Sequence, residues 1–481
     1  MENWLNKQAA LVPNKTALVF ENRSWSFQQL KDETRMLSGK LQNIIDKSTG
    51  RIGFLAANTP SSYLTVLALQ ELGVQIVLLN FRLSLFELSK QIKIANVDCV
   101  LVDDSLQTRN KELAELTEFA DVKCWKLSQI KQLAKHEPHV VEEYKDDQVT
   151  TIMFTSGTTG NPHGVLQTFK NHFFSAVGSA INLGLQANDM WLCAVPIFHI
   201  SGFSIMMRSL IYGMPVLLVE HFQEKQVTWL LQEQPVTLMS VVPQMLKRLL
   251  ESFPAGGYNQ DFRCFLLGGA AIDEQTLRQC IALKLPVIQS YGMTETCSQV
   301  VALSFSDALN AVGSVGKPLF PVQLRINEKT KEIEIKAPNV VSGYLGATHI
   351  FEEKLTEDGW FKTGDVGHYD EAKFLFVEGR KGEMLISGGE NIFPDEIENA
   401  YAGFPTITEF AVCGVPDDKW GEVPVGFYVG SQMISDNELI AYGSKKLARF
   451  KIPKQFVKVE RLPRTASGKV KRYELAKELR Q

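Results

Sequence analysis

The chain has 481 residues, 45% apolar and 22% charged, with a net charge of −4 at pH 7. That length calls for two or more domains, and the near-neutral balance excludes a nucleic-acid footprint or a polybasic membrane-surface protein. Seven scattered cysteines without a Cys-x-x-Cys argue against a disulfide or zinc framework and for a reducing compartment.

In chain order, the N-terminus Met1-Glu2-Asn3-Trp4 lacks a basic n-region and an apolar h-region. Residues 1–150 then alternate helical patterns with short apolar strands. Arg51–Leu55, Val74–Leu79 and Asp98–Val102 read as strands, and Phe86–Ile94 carries helical spacing. Val149–Phe154 is a β-branched strand. It feeds Thr155-Ser156-Gly157-Thr158-Thr159-Gly160-Asn161-Pro162-His163-Gly164, after which the chain turns amphipathic from Phe169. Three glycines and four hydroxyls in ten residues suit a polyanion, because glycine lets backbone N–H groups close on phosphate oxygens. The Gly-Lys-Ser/Thr end of a Walker A loop is absent. Further strands are expected at Met190–Val195, Met214–Val219, Thr237–Val241, Cys264–Leu267 and Val287–Gln289. The longest apolar stretch, Ile205–Val219, is broken by Arg208, Gly213 and Pro215 and is too interrupted to span a bilayer. The expectation is a cytoplasmic protein with no membrane insertion and no nucleic-acid partner; a homo-oligomer stays open. The fold expected is α/β, with parallel-rich sheets covered by helices.

Ligands of such sheets sit beyond the carboxyl ends of strands. Pro196–Gly202, Gly268-Gly269-Ala270-Ala271 and Ser290–Thr296 are polar or glycine clusters at such ends. Later, Thr363-Gly364-Asp365 puts a carboxylate after a tight turn, and Glu378–Gly382 puts Arg380 before a flexible glycine. With Ser387–Ile392 and Ser467-Gly468-Lys469, these motifs stand in one order along essentially the whole chain. In that order they resemble the acyl-adenylate-forming superfamily of acyl- and aryl-CoA synthetases, adenylation domains and firefly luciferase. Gln289–Gln299, with Gln167–Asn171 and Pro196–Gly202, is similar to the branch that joins 2-succinylbenzoate to coenzyme A in menaquinone synthesis.

The resemblance implies a large N-terminal domain over 1–379 with a β-barrel-like part, a hinge at 380–382, and a small mobile α+β domain over 383–481. It implies ATP, Mg²⁺ and coenzyme A, with an aromatic carboxylic acid as co-substrate. Thr155, Ser156, Gly157, Thr158, Thr159 and Gly160 would hold phosphates. Gly269, Ala270, Tyr291, Gly292, Met293 and Thr294 would line the adenosine site, with Tyr291 stacking on the base. Glu295 would be the magnesium carboxylate, Asp365 the ribose acceptor and Arg380 a ribose or phosphate contact. Lys469, Thr155, Glu295 and His199 would be catalytic, with Lys469 bridging the incoming carboxylate and the α-phosphate. His199, Ser201, Gly202 and Arg208 would form the acyl pocket. There Arg208 would meet the free carboxylate of the acid, with Lys170, His172 and Arg82 as alternatives. Ser387, Gly388 and Gly389 would line the coenzyme A path, and Lys381-Gly382 the pivot. Asn161 and His163 replace the two lysines common in the phosphate loop, which points to weaker ATP binding, improved when His163 protonates near pH 6.5. The competing functions are another aryl- or acyl-CoA synthetase, a luciferase-like oxidase, or a nucleotide-binding protein without turnover.

Overall fold

The computed structural model describes residues 1–45, 49–156, 162–387, 390–417, 420–447, 449–465 and 468–479. Among these, no helix is long and apolar enough to cross a membrane.

Two large sheets form the body. A nine-stranded sheet is mostly parallel at its centre, where Trp191–Cys193, Val216–Leu218, Leu238–Val241, Cys264–Leu267 and Val287–Met293 align. A six-stranded sheet carries Arg51–Leu55, Gln75–Leu78 and Cys99–Val102 in parallel beside Val149–Ser156. These central strands are short and apolar along both faces, as expected of strands covered by helices on each side. One continuous core runs from Trp4 to Leu319 and includes Phe27, Phe54, Trp191, Phe203 and Phe265. A four-stranded antiparallel sheet, Gln323–Ile326 through Leu375–Arg380, supplies the barrel-like part. Beyond Arg380, a separate sheet, Leu385–Ser387 with Glu390–Ile392, Ile407–Asp417, Gly421–Gly430 and Gln455–Lys458, packs on cores drawn only from residues after 384.

Three local expectations change. The phosphate-loop motif is flanked by strands on both sides: Val149–Ser156 and Pro162–Thr168 pair antiparallel as a hairpin, and the helix starts at Phe169, as its amphipathic pattern expects. The strand expected at Val287–Gln289 runs to Met293, because after Gln289 it leaves its parallel neighbour and pairs antiparallel with Ser298–Ala302. Gly292 permits that close return, since a Cβ there would lie 2.1 Å from the Ser298 carbonyl oxygen. Thr363-Gly364-Asp365 lies inside the strand Phe361–Tyr369 rather than after a turn, with Gly364 in the left-handed region at φ 79°.

Candidate active site

The barrel-like sheet and the nine-stranded sheet meet at Asp365. Asp365 and Arg380 are direct cross-strand partners in the barrel-like part, and Arg380 Nε donates to Asp365 Oδ1 at 2.8 Å. From the nine-stranded sheet, the Tyr291 hydroxyl donates to Asp365 Oδ2 at 2.6 Å. Asp365 is only 5% exposed, so both its oxygens are satisfied from within. Burial, reinforced by the Asp365 charge, pushes the Tyr291 phenol well above its ordinary range, so it stays a donor. Tyr291 thus brings a hydroxyl as well as a ring to the place expected of an adenosine site. Gly269 follows the strand Cys264–Leu267 with φ 90°, and Ala270 is exposed beside it.

Glu295 sits on the single turn Thr294–Thr296 that ends the strand Val287–Met293. The turn is pinned from several sides. Gln167 Nε2 donates to the Thr294 carbonyl at 2.9 Å, Val341 N donates to the Glu295 carbonyl at 2.9 Å, and Met293 N donates to Thr296 Oγ1 at 3.0 Å. The Tyr344 hydroxyl donates to Glu295 Oε1 at 2.9 Å.

Lys469 comes from the small domain. Its loop is closed by Thr465 N donating to the Lys469 carbonyl at 2.7 Å and Lys469 N donating to Thr465 Oγ1 at 3.1 Å. The side chain reaches solvent, yet enough protein surrounds its ammonium to lower its proton affinity, and the Arg380 charge lowers it further. Asp365, Glu383 and Glu295 pull the other way. Lys469 is thus within electrostatic reach of Arg380, Asp365, Glu383 and Glu295. Thr155 is half-buried at the hairpin end, in register with His163. Gly157, Thr158, Thr159, Gly160, Asn161, Gly388, Gly389 and Ser467 lie outside the described residues, as does the Ser156 side chain.

His163 stacks on Tyr344 with ring centroids 5.3 Å apart. Burial lowers its proton affinity, the Lys354 charge adds to that, and Glu295 opposes it. The expected gain in ATP affinity near pH 6.5 is therefore displaced downward in the free protein. ATP binding should stay flat between pH 8 and about pH 6.5 and tighten only below the ordinary histidine range. Calorimetric ATP titrations from pH 8 to 5.5 check this, and His163→Ala should remove the acid-side gain.

The pocket residues cluster around the helix Ile200–Tyr212. His199 caps its start, with its ring 4.5 Å from Phe198, which meets Phe81 edge-on at 4.9 Å. Burial, with the nearby Arg82 charge, pushes His199 down to about 4, and its Nε2 has no partner. His199 is thus a neutral wall with one open ring nitrogen. Ser201 offers its carbonyl to Ser204 Oγ at 3.1 Å. Gly202 has a packing reason of its own, since a Cβ there would lie 2.3 Å from the Pro196 carbonyl oxygen.

Arg208 is 2% exposed, stacks 5.1 Å over Trp191 and donates from Nη2 to Ser298 Oγ at 3.2 Å. Its Nε has no partner, and among the described residues no carboxylate pairs with it. Burial lowers its proton affinity, with Tyr212 opposing, but a guanidinium keeps its charge. A buried cation in this state calls for an anionic or polar partner.

The alternatives fare differently. His172 is 2% exposed and pushed by burial down to about 3. Thr151 Oγ1 donates to Gln167 Oε1 at 2.9 Å, so the 3.0 Å contact of Thr151 with His172 Nε2 uses the histidine N–H. Its unpartnered Nδ1 is then a lone pair, which repels a carboxylate. Lys170 is exposed.

At the proposed pivot, Lys381 Nζ pairs with Glu332 Oε2 at 3.0 Å, and the other Glu332 oxygen accepts from Gly364 N at 3.0 Å. A Cβ added to Gly382 would meet nothing within 4 Å. Ser387 is buried at the end of its strand. Sequence reasoning missed Tyr344, Ser298 and Glu332. An aromatic after glycine, a serine and a strand glutamate carry no local signal; only the cleft's closure gives them partners.

The AMP-binding enzyme family matches residues 5–345, and the C-terminal domain of AMP-binding enzymes matches 396–469. A 2-succinylbenzoate–CoA ligase of Listeria monocytogenes is 44% identical over 475 residues, covering 99% of both chains. The o-succinylbenzoate–CoA synthetase (MenE) of Bacillus subtilis, in complex with the acyl-adenylate intermediate OSB-AMP, superposes with a TM-score of 0.93 at 38% identity, over 99% of this chain and 98% of that one. Its complex with ATP and magnesium ion gives 0.91 at 37% identity, over 99% of each chain. A double mutant of it, bound to the product analogue OSB-NCoA, gives 0.76 at 38% identity with coverage of 99% and 98%. With these matches spanning the chain, and with Tyr291 and Arg380 both joined to Asp365, the chain belongs to the AMP-binding, acyl-adenylate-forming family of enzymes.

Proposed function

We propose that this chain is an ATP-dependent ligase that adenylates 2-succinylbenzoate, releasing pyrophosphate, and then transfers the acyl group to coenzyme A, giving 2-succinylbenzoyl-CoA and AMP for menaquinone synthesis. The observation that carries the substrate is Arg208, a buried guanidinium without a carboxylate partner among the described residues. 2-Succinylbenzoate has two carboxylates. The aliphatic one is activated, and the ring carboxylate needs a buried cation.

Joining a carboxylate to a thiol in water is uphill, so the acid is first made a better acyl donor. The obstacle is bringing an anionic nucleophile onto an anionic triphosphate, and the remedy is cationic charge placed beforehand where the two meet. In this reading Asp365 takes the ribose hydroxyls and Arg380 a ribose or phosphate oxygen, while Tyr291 holds Asp365 in place and packs against the base. The Lys469 ammonium sits between acid and α-phosphate, and the arriving anions relieve its repulsion from Arg380. His199, neutral, closes the acyl pocket without competing for the acid's charge. Glu295 suits Mg²⁺: a single hard oxygen donor, fixed by Tyr344 at one oxygen and with the other left over, fits an ion that shares its shell with waters and phosphates. The metal supplies neutralisation of phosphate charge when bound.

The second half-reaction needs the lysine withdrawn. We place the large domain at 1–379, the pivot at 380–382 and the lid at 383–481. The fall in TM-score between two complexes of the same relative, at equal identity, supports a rotation of this kind. Glu332 ties Lys381 to the large domain, while Glu383 pairs with Arg472 of the lid at 2.7 Å, leaving Gly382 between two anchored residues. Gly382→Pro is expected to slow thiolation at least tenfold more than adenylation, because its fixed φ restricts the swing. Single-turnover assays of the two half-reactions read this, and equal rates would remove the pivot from Gly382.

The proposal is tested by pyrophosphate release over a panel of carboxylic acids, followed by CoA-dependent AMP release. 2-Succinylbenzoate should give the highest kcat/KM by about tenfold or more over benzoate, medium-chain fatty acids and 4-oxo-4-phenylbutanoate. A higher value for another acid would replace the substrate while leaving the ligase chemistry standing. Turnover without coenzyme A beyond the adenylate would point to an oxidase or hydrolase instead.

A further inference from the structure

We infer that Tyr344 is the positioning residue that fixes the Glu295 carboxylate toward the metal–nucleotide complex and ties it to the phosphate hairpin. The inference rests on the reading of Glu295 as the metal carboxylate.

The geometry is that of a bracket between two parts of one site. Gly343-Tyr344-Leu345 runs alongside the hairpin strand Pro162–Thr168: Leu166 N donates to the Gly343 carbonyl at 3.1 Å, and Leu345 N to the Gly164 carbonyl at 2.7 Å. Val165 and Tyr344 form an isolated antiparallel bridge. The Tyr344 ring is 3% exposed. It sits edge-on against Phe351 at 5.4 Å and stacks on His163 at 5.3 Å. Its hydroxyl donates to Glu295 Oε1 at 2.9 Å.

A glutamate side chain has three rotatable bonds, and on a one-turn element its carboxylate would otherwise sample several directions. The tyrosine occupies one oxygen and fixes the plane, leaving the second oxygen for the ion. Partners of this kind are worth about 10–100-fold in metal affinity or activity. The backbone pairing of Gly343–Leu345 with Pro162–Thr168 means that movement of the phosphate hairpin shifts the carboxylate with it. Sequence spacing does not reveal this, because Tyr344 lies 49 residues from Glu295.

The test is direct binding rather than turnover. ATP affinity is measured by calorimetry with saturating Mg²⁺ and with EDTA, and the ratio of the two dissociation constants isolates the metal-dependent part. Tyr344→Phe keeps the ring contacts and removes only the hydroxyl. It should cut the ratio by about tenfold or more with metal-free ATP binding unchanged. Glu295→Gln should abolish the ratio, and Phe351→Leu, which loosens the same ring without touching the hydroxyl, should leave it intact while lowering the thermal midpoint. If Glu295→Gln lowers the ratio and Tyr344→Phe does not, Tyr344 has no positioning role. The same conclusion follows if Phe351→Leu matches Tyr344→Phe. If Glu295→Gln leaves the ratio unchanged, the metal reading of Glu295 falls first.

Discussion

Lys469→Ala should lower ATP-dependent pyrophosphate release by about 10³-fold, the range seen when one preorganised charge-stabilising group is removed from a reacting centre. Thiolation of supplied acyl-adenylate should stay within a few-fold of the parent. The asymmetry follows from position. Lys469 enters the cleft from the small domain on a loop closed by Thr465, and the charges it feels are those of Arg380, Asp365, Glu383 and Glu295. An ammonium held there acts while carboxylate and phosphate approach, when negative charge is densest, and has nothing to do once pyrophosphate has left. ATP affinity in the same variant should change far less than kcat, since in the proposed reading adenosine and ribose are held by the large domain. The two half-reactions, measured separately by quench-flow, decide the matter. Equal loss in both would mean that the substitution damages the lid and not the chemistry.

Arg208→Met should raise KM for 2-succinylbenzoate by about 10²-fold or more, as expected when one partner of a buried hydrogen-bonded charge pair is removed. With 4-oxo-4-phenylbutanoate, which lacks the ring carboxylate, KM should be nearly unchanged. Methionine replaces the guanidinium with a flexible apolar chain of comparable length, so the Trp191 contact is partly kept and the cavity is small. The comparison of two acids within one variant removes any general effect on folding. A parallel rise for both acids would make Arg208 a structural residue held by Ser298 and Trp191. Ser298→Ala should give a smaller shift of the same selectivity, because it removes a hydroxyl that steers the guanidinium and not the charge.

The legible part of this site was the part carried by chemistry at short range. Thr155–Gly164 reads as a phosphate loop from its glycines and hydroxyls. The same local reading misplaced the hairpin. A strand of the pattern Pro162–Thr168 is recognised by its partner, Val149–Ser156, and not by its own composition. It also stopped the strand at Gln289, because continuation to Met293 depends on Gly292 letting the chain at Ser298 return within contact distance. His172 looked like a candidate cation in sequence; burial beside Thr151 and Gln167 makes it a neutral ring that donates to Thr151.

The sequence by itself determined the alternation of strand and helix and a glycine- and hydroxyl-rich loop suited to phosphate, because these follow from composition and spacing along a few neighbouring positions; the class of protein and the ribose and acid roles came through the family resemblance that its ordered motifs carry. Only the tertiary structure decided which of them act together. It joined Tyr291 to Asp365 and Arg380 across two sheets, carried Lys469 to them from the far end of the chain, buried Arg208 away from any described carboxylate, and gave Glu295 the hydroxyl of Tyr344. Those pairings lie tens to hundreds of residues apart. They are set by strand register and domain closure, which depend on the whole core and not on any local run of residues.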